Sequence, residues 1–166
     1  SSVLCERVLK GIQQGQERGI CLDVGHGKAS FSFAAAKTGI AAGIVPQTIS
    51  TDLHGRNIDG PVYDLATTMT KMLHVGMTLP QVIAGVTANP AEFLGLSEYG
   101  SPRTGIMANL TVFRLLSSSV DLEDSSGCKE TVSRIIVPEA VIVDGNWRPI
   151  SRGVWNSPIY TVSKKG

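Results

Sequence analysis

Cysteine, aromatic residues and surplus charge are all scarce in this chain, and each scarcity removes a class of protein. Cys5, Cys21 and Cys128 are odd in number and far apart, and no Cys-x-x-Cys pair exists. That excludes a disulfide framework and fits a reducing, cytoplasmic compartment. Aromatic residues make up 5% of the chain, so the core must be built mainly from aliphatic side chains. Lys and Arg number 15 against 14 Asp and Glu, with no long run of one sign. Nothing there draws nucleic acid or an anionic membrane. No signal peptide and no apolar run of about 18 residues is present. P-loop, Gly-x-Ser-x-Gly and His-Glu-x-x-His patterns are missing too. Histidine occurs three times, as His26, His54 and His74.

What remains is a globular composition, 42% hydrophobic and 17% charged over 166 residues, enough for one ordinary domain. The sequence opens without Met and inside a helical pattern, which points to a fragment. Leu4, Val8, Leu9 and Ile12 form one stripe of a helix over 3–17, closed by Gly19. "ICLDV" (20–24) reads as a strand buried on both faces. An Ala-rich helix over 31–42 and a second strand, "QTIST" (47–51), complete a βαβ unit, whose strands are parallel neighbours.

Asp64 can cap a helix running to Val75, with Leu65, Met69, Met72 and Leu73 facing inward. Thr78 and Gln81 form a capping-box pattern, with Pro80 in the first turn of a helix to about Thr87. Asn89-Pro90 starts a short helix stopped by Gly95. From Ser101 the pattern turns to strands, over 109–115 and 133–145, with a polar link at 117–129 and a hairpin turn at Asp144-Gly145. The tail after Arg152 is polar and expected to be poorly ordered. The expected organisation is an α/β region over 1–96, a small β region over 97–150 and a tail over 151–166.

Both strands run from apolar into polar residues at their C-terminal ends, where parallel α/β sheets bind ligands. His26 and Asp52 lie one βα unit apart and belong at one mouth. Asp52 is a metal ligand and general base, or the cap of the loop that follows it. His26, between Gly25 and Gly27, faces a ligand approached closely by the backbone, or sits half-buried in a turn. His54 lies two residues past Asp52, on the same mouth or in water. Lys28 and Arg56 can hold an anionic group or remain solvated. His74 suits the end of a helix. Met69, Met72, Met77 and Cys21 read as packing.

Four stretches, "LDVGHGKASFSF", "GIVPQTISTDLHGRNIDGPVYDLATTMTKMLHVGM", "VTANPAEFLGL" and "GSPRTGIMANLTVF", together resemble the C-terminal half of amidohydrolase-superfamily metal hydrolases, of the dihydroorotase-like amidohydrolase and deacetylase group. The similarity runs from about residue 3 to about residue 150. It implies the last two strands of a (β/α)₈ barrel and part of a small β-sandwich. It also implies one or two divalent metal ions, usually zinc. In that family the metal ligands are a His-x-His pair, a Lys or Glu, two further histidines and a final Asp. Asp52 matches the final Asp, as metal ligand and proton acceptor. His26 matches a residue on the preceding strand that lines the substrate side, and His54 corresponds loosely to a histidine that contacts substrate; His26, Gly27, His54 and Arg56 are the expected substrate-binding residues. Asn109 stands where the family often has Asp.

The chain departs from that pattern: it has no His-x-His, and it keeps one metal ligand of about six. The expected function is therefore that of a C-terminal fragment of a metal-dependent hydrolase of amides, cyclic amides or esters, deacetylation included. The alternatives are a phosphate-binding barrel enzyme, or a truncated chain with a structural role only. The expected partners are a small-molecule substrate, the missing N-terminal part of the same barrel, and a second copy in a homo-oligomer. The chain alone is expected to be inactive.

Overall fold

The structure, a computed structural model, describes residues 2–151 and 156–161. Five helices and five strands occur among them: α1 (Ser2–Glu17), β1 (Asp23–Gly25), α2 (Phe33–Ala41), β2 (Thr48–Ser50), α3 (Leu65–His74), α4 (Leu79–Val86), α5 (Ala88–Phe93), β3 (Leu110–Glu123), β4 (Lys129–Val143) and β5 (Asn146–Pro149). No helix among them is long and apolar enough to cross a membrane.

The βαβ reading holds. β1 and β2 pair in parallel with Val24 opposite Ile49. Beyond the formal strands the ladder continues, His26 N–H to Ser50 O at 3.2 Å and Gly27 N–H to Thr51 O at 3.0 Å. The first strand differs from expectation in place and in burial. It begins at Asp23, and Ile20 is 53% exposed. Val24 and Ile49 face the core. On the opposite face the Asp23 carboxylate accepts from Thr48 Oγ1 at 2.8 Å and Ser50 Oγ at 2.5 Å. With two strands and one covered face, only every second residue is driven inward by the hydrophobic effect.

The helix caps follow local chemistry. Asp64 accepts from Thr67 N–H at 2.6 Å and opens α3. Thr78 and Gln81 make a complete capping box at α4, with Pro80 in its first turn. Residues 66–73 of α3 are all buried, but Leu65, expected inside, is 40% exposed.

The link expected over 117–129 does not exist as a linker. β3 and β4 run through it as one long antiparallel hairpin, paired from Leu110↔Ile142 to Glu123↔Lys129. Ser117, Ser118 and Ser119 hid the strand because three successive serines, none of them buried, break the apolar alternation. The turn is built on Asp124, which is 2% exposed. Its carboxylate accepts from Ser126 N–H, Cys128 N–H and, across the fold, Phe33 N–H at 3.0 Å. Burial alone would raise the Asp124 pKa. The bonds from the Ser126 hydroxyl and these amides outweigh it and hold the carboxyl below its usual value.

At the other end, Asp144 (φ 50°) and Gly145 (φ 78°) make the two-residue turn read from the sequence. Asn109 has a structural task there: its Oδ1 accepts from Asp144 N–H at 3.0 Å. β3 has a neighbour on one side only among the described residues.

One buried cluster crosses residue 96. It joins Phe31, Ile49 and Met72 to Leu122, Ile135 and Ile136. The tail expected to be loose contributes to it: Ile159 is 0% and Tyr160 5% exposed, in a 3₁₀ turn over Pro158–Tyr160. The remainder of that tail, 152–155 and 162–166, lies outside the described residues.

Candidate functional site

The C-terminal tips of β1 and β2 lie side by side, and Asp52 is the first residue beyond the β2 ladder. Its φ is 48°, in the left-handed region that costs a residue with a β-carbon free energy. Its side chain is exposed. Gly27, on the neighbouring tip, has φ 53°, and a β-carbon there would lie 2.9 Å from Asp52 Oδ2. The glycine thus makes room for the carboxylate.

The segment after Asp52 folds back in a tight series of bonds. Leu53 N–H donates to Thr51 Oγ1 at 3.2 Å. Asn57, with 0% exposure, donates from Nδ2 to Asp52 O at 2.9 Å and accepts at Oδ1 from His54 N–H at 2.8 Å. His54 is half-buried, and its Nδ1 accepts from Arg56 N–H at 3.2 Å. A neutral imidazole then carries its proton on Nε2, which becomes a donor. Arg56 is exposed next to it.

His26 stands elsewhere. Its ring is 0% exposed and stacks on Phe31 at 4.7 Å. Nδ1–H donates to Gly27 O at 2.9 Å, and Nε2 accepts from Lys71 Nζ at 2.7 Å, so both ring nitrogens are occupied. Burial, and then the Lys71 charge, lower its pKa to about 4. Lys71 is buried in α3 and also donates to Pro61 O at 2.7 Å and Glu123 O at 2.6 Å. Three acceptors use all three ammonium protons. Burial lowers its pKa to about 7, against the opposing pull of Asp124, Glu123 and Asp64.

The structure therefore brings Asp52, Gly27, His54 and Arg56 to one end of the parallel pair and puts the His26 ring into the interior. The Gly-His-Gly loop offers little to a phosphate group, because the N–H groups of His26 and Gly27 are committed to the β2 tip. His74 ends α3 and bonds Glu130 Oε2 at 2.5 Å, a half-buried pairing beside Phe33. Met69, Met72 and Met77 are core.

Asn57 and Lys71 escaped the sequence reading. A lysine among inward-facing positions of an apolar helix was the available signal for Lys71. Asn57, among glycines and charges, gave none beyond a turn. Among the described residues no three of His, Cys, Asp and Glu gather as metal ligands. An apolar groove of about 1180 Å³ lies apart from this site, with Leu94, Leu96, Tyr99, Met107 and Leu110 in its lining.

In α/β folds with parallel strands, ligands bind at the C-terminal strand tips, and Asp52 stands at such a tip. Within that class the chain is placed by comparison with known proteins: residues 12–148 match the Amidohydrolase family, and the chain belongs to it. It is 43% identical over 125 residues to deacetylases of Brucella anthropi and Agrobacterium fabrum, covering 75% of this chain and 31% of each of those. A deacetylase of Enterococcus faecalis is 40% identical over 133 residues, 80% of this chain and 36% of that one.

Two crystal structures share the α/β fold. One is an adenine deaminase, with TM-score 0.80 and 38% identity over 83% of this chain and 38% of that one. The other is a dihydroorotase, with TM-score 0.77 and 39% identity over 86% of this chain and 38% of that one. The chain spans about a third of the length of the curated relatives it matches.

Proposed function

We propose that this chain is the C-terminal part of a metal-dependent hydrolase of amides, cyclic amides or esters, with removal of an acetyl group as the favoured reaction. The observation that carries the reading is the exposed, left-handed Asp52 at the β2 tip, with Gly27 cut away in front of its carboxylate. In the reaction, water attacks the carbonyl carbon, Asp52 takes the proton from that water, and the same carboxyl delivers it to the departing nitrogen or oxygen. His54 donates from Nε2 to a substrate oxygen, and Arg56 stands beside it to hold a substrate carboxylate. Gly27 lets the substrate approach the strand tip. His26 enters the proposal as the support beneath that tip.

The family uses divalent metals in general, and zinc is the proposed ion. The described residues do not make a metal site by themselves. Asp52 is proposed to share the ion with ligands from the part of the barrel that the relatives possess and this chain lacks. The chain alone is accordingly proposed to be inactive. The proposed architecture assigns 1–96 to the barrel and 97–150 to the sandwich. The apolar groove and the β3 edge, which has no partner strand among the described residues, are then the surfaces that the remaining chain covers.

The test is Asp52→Asn in the protein completed with its upstream half, assayed on N-acetylated amino acids, cyclic amides and acetyl esters with and without chelator. The expected outcome is chelator-sensitive turnover in the parent and a loss of about 100-fold or more in the variant. Turnover indifferent to both the chelator and the substitution refutes the reading.

A further inference from the structure

Asp52 does not hold its conformation unaided. Its left-handed φ is opposed by its own β-carbon, and Gly27 only clears space for the side chain. What fastens the bend lies on its inner side. The amide of Asn57 bridges two main-chain groups, donating to the carbonyl of Asp52 and accepting from the N–H of His54.

Asn57 is itself immobilised. Its N–H donates to His54 O at 3.0 Å, and its carbonyl accepts from Gly60 N–H at 3.1 Å and Tyr63 N–H at 3.3 Å. It is completely buried while Arg56, Ile58 and Asp59 around it are exposed. The residue type is specific to the task, which needs a donor and an acceptor side by side on one short planar group. An ionised Asp offers acceptors only, Ser is too short, and Gln displaces the amide by a methylene.

We propose that Asn57 is a positioning residue: its side-chain amide sets the Asp52 carboxylate and the His54 imidazole in a fixed mutual orientation. The proposal rests on the reading of Asp52 as the proton-transferring carboxylate and His54 as the donor to a substrate oxygen. It predicts an effect mainly on rate, because Arg56 and the face of Gly27 are not bonded to the amide, and the bond from His54 Nε2 to the substrate oxygen strengthens as charge develops there in the transition state. Asn57→Asp removes the bond to Asp52 O and keeps an acceptor for His54. Asn57→Ala removes both.

The experiment uses the protein completed with its upstream half and its metal, with kcat and KM measured per folded molecule. In parallel, the three-bond HN–Hα coupling and the carbonyl carbon shift of Asp52 are followed by NMR. The expected result is a fall in kcat of about 10- to 100-fold in Asn57→Asp and more in Asn57→Ala. KM should stay within about twofold. The Asp52 signals should leave their left-handed values in both variants. Unchanged kcat with folded protein overturns the proposal, as does an Asp52 that stays left-handed in both.

Should Asn57→Ala fail to fold, Asn57→Asp decides by the same criteria. Should the parent show no metal-dependent turnover, the proposed reaction falls. The NMR arm then decides the positioning role by itself: an Asp52 that relaxes supports it and one that does not overturns it.

Discussion

Acid should destabilise this protein through His26. The ring is 0% exposed, and burial followed by the Lys71 charge lowers its pKa from 6.5 to about 4. An unfolded chain takes up the proton near 6.5, the folded one only near 4. Over that window protons favour the unfolded state. The stabilisation is therefore complete above about pH 6.5 and drains away as the pH falls toward 4.

At about 1.4 kcal/mol per pH unit, the loss from this one residue reaches about 3 kcal/mol at pH 4. That is a large share of the 5–15 kcal/mol typical of a domain. Lys71 acts in a different window. Burial takes it from 10.5 to about 7, so its share of stability falls as the pH drops from 10.5 to 7. Below about 7 it is charged in both states and adds no slope. Carboxylates also titrate between pH 6.5 and 4, so the measurement must be a difference. Urea denaturation at pH 7, 5.5, 4.5 and 4, followed by circular dichroism, is compared between the parent and His26→Gln. Gln keeps an acceptor for Lys71 and does not titrate. The parent should lose about 3 kcal/mol more than the variant between pH 7 and 4. Parallel losses in the two proteins refute a buried, neutral His26.

Two further substitutions test other joints. Asp124→Ala should cost about 2–4 kcal/mol in urea denaturation, because it strips the bonds to Ser126, Cys128 and Phe33 N–H from a buried turn. A cost under about 0.5 kcal/mol would count against the turn as drawn. Gly27→Ala places a methyl group 2.9 Å from Asp52 Oδ2 at a positive φ. It should cost about 1–3 kcal/mol of stability and lower the turnover of the completed enzyme, with Asp144→Ala, far from the site, as the control for strain without effect on turnover.

How far the sequence alone could be read depended on whether the signal was local. The caps at Asp64 and Thr78, the Asp144-Gly145 turn and the parallel strand pair were legible, because each is decided by a few neighbouring residues. β3 was legible only in its first half. Three successive serines hid the rest, and the partner that makes it a strand, β4, starts beyond the turn. Ile159 and Tyr160 looked like part of a polar tail because two core residues give no period. At the site, Asp52 could be located from its strand end and its resemblance. The burial of His26 could not, since it depends on Lys71, 45 positions further on. Asn57 was invisible for a related reason: an amide that bridges two main-chain groups leaves no pattern in side-chain chemistry.

The hairpin tip also fixes an order of events during synthesis. Phe33 N–H is bonded by Asp124, 91 positions later, and Gly27 O by Ser125 Oγ at 3.3 Å, 98 positions later. A ribosome adding about 5–20 residues per second needs on the order of 5–20 s to cover that interval. For that time both strands and Asp52 are already made, while the loop that flanks the carboxylate has no outer wall. A nascent chain halted before residue 124 would carry every residue of the proposed site on an unfinished frame. The β3–β4 hairpin thus gives the proposed site a wall without contributing a reacting group to it.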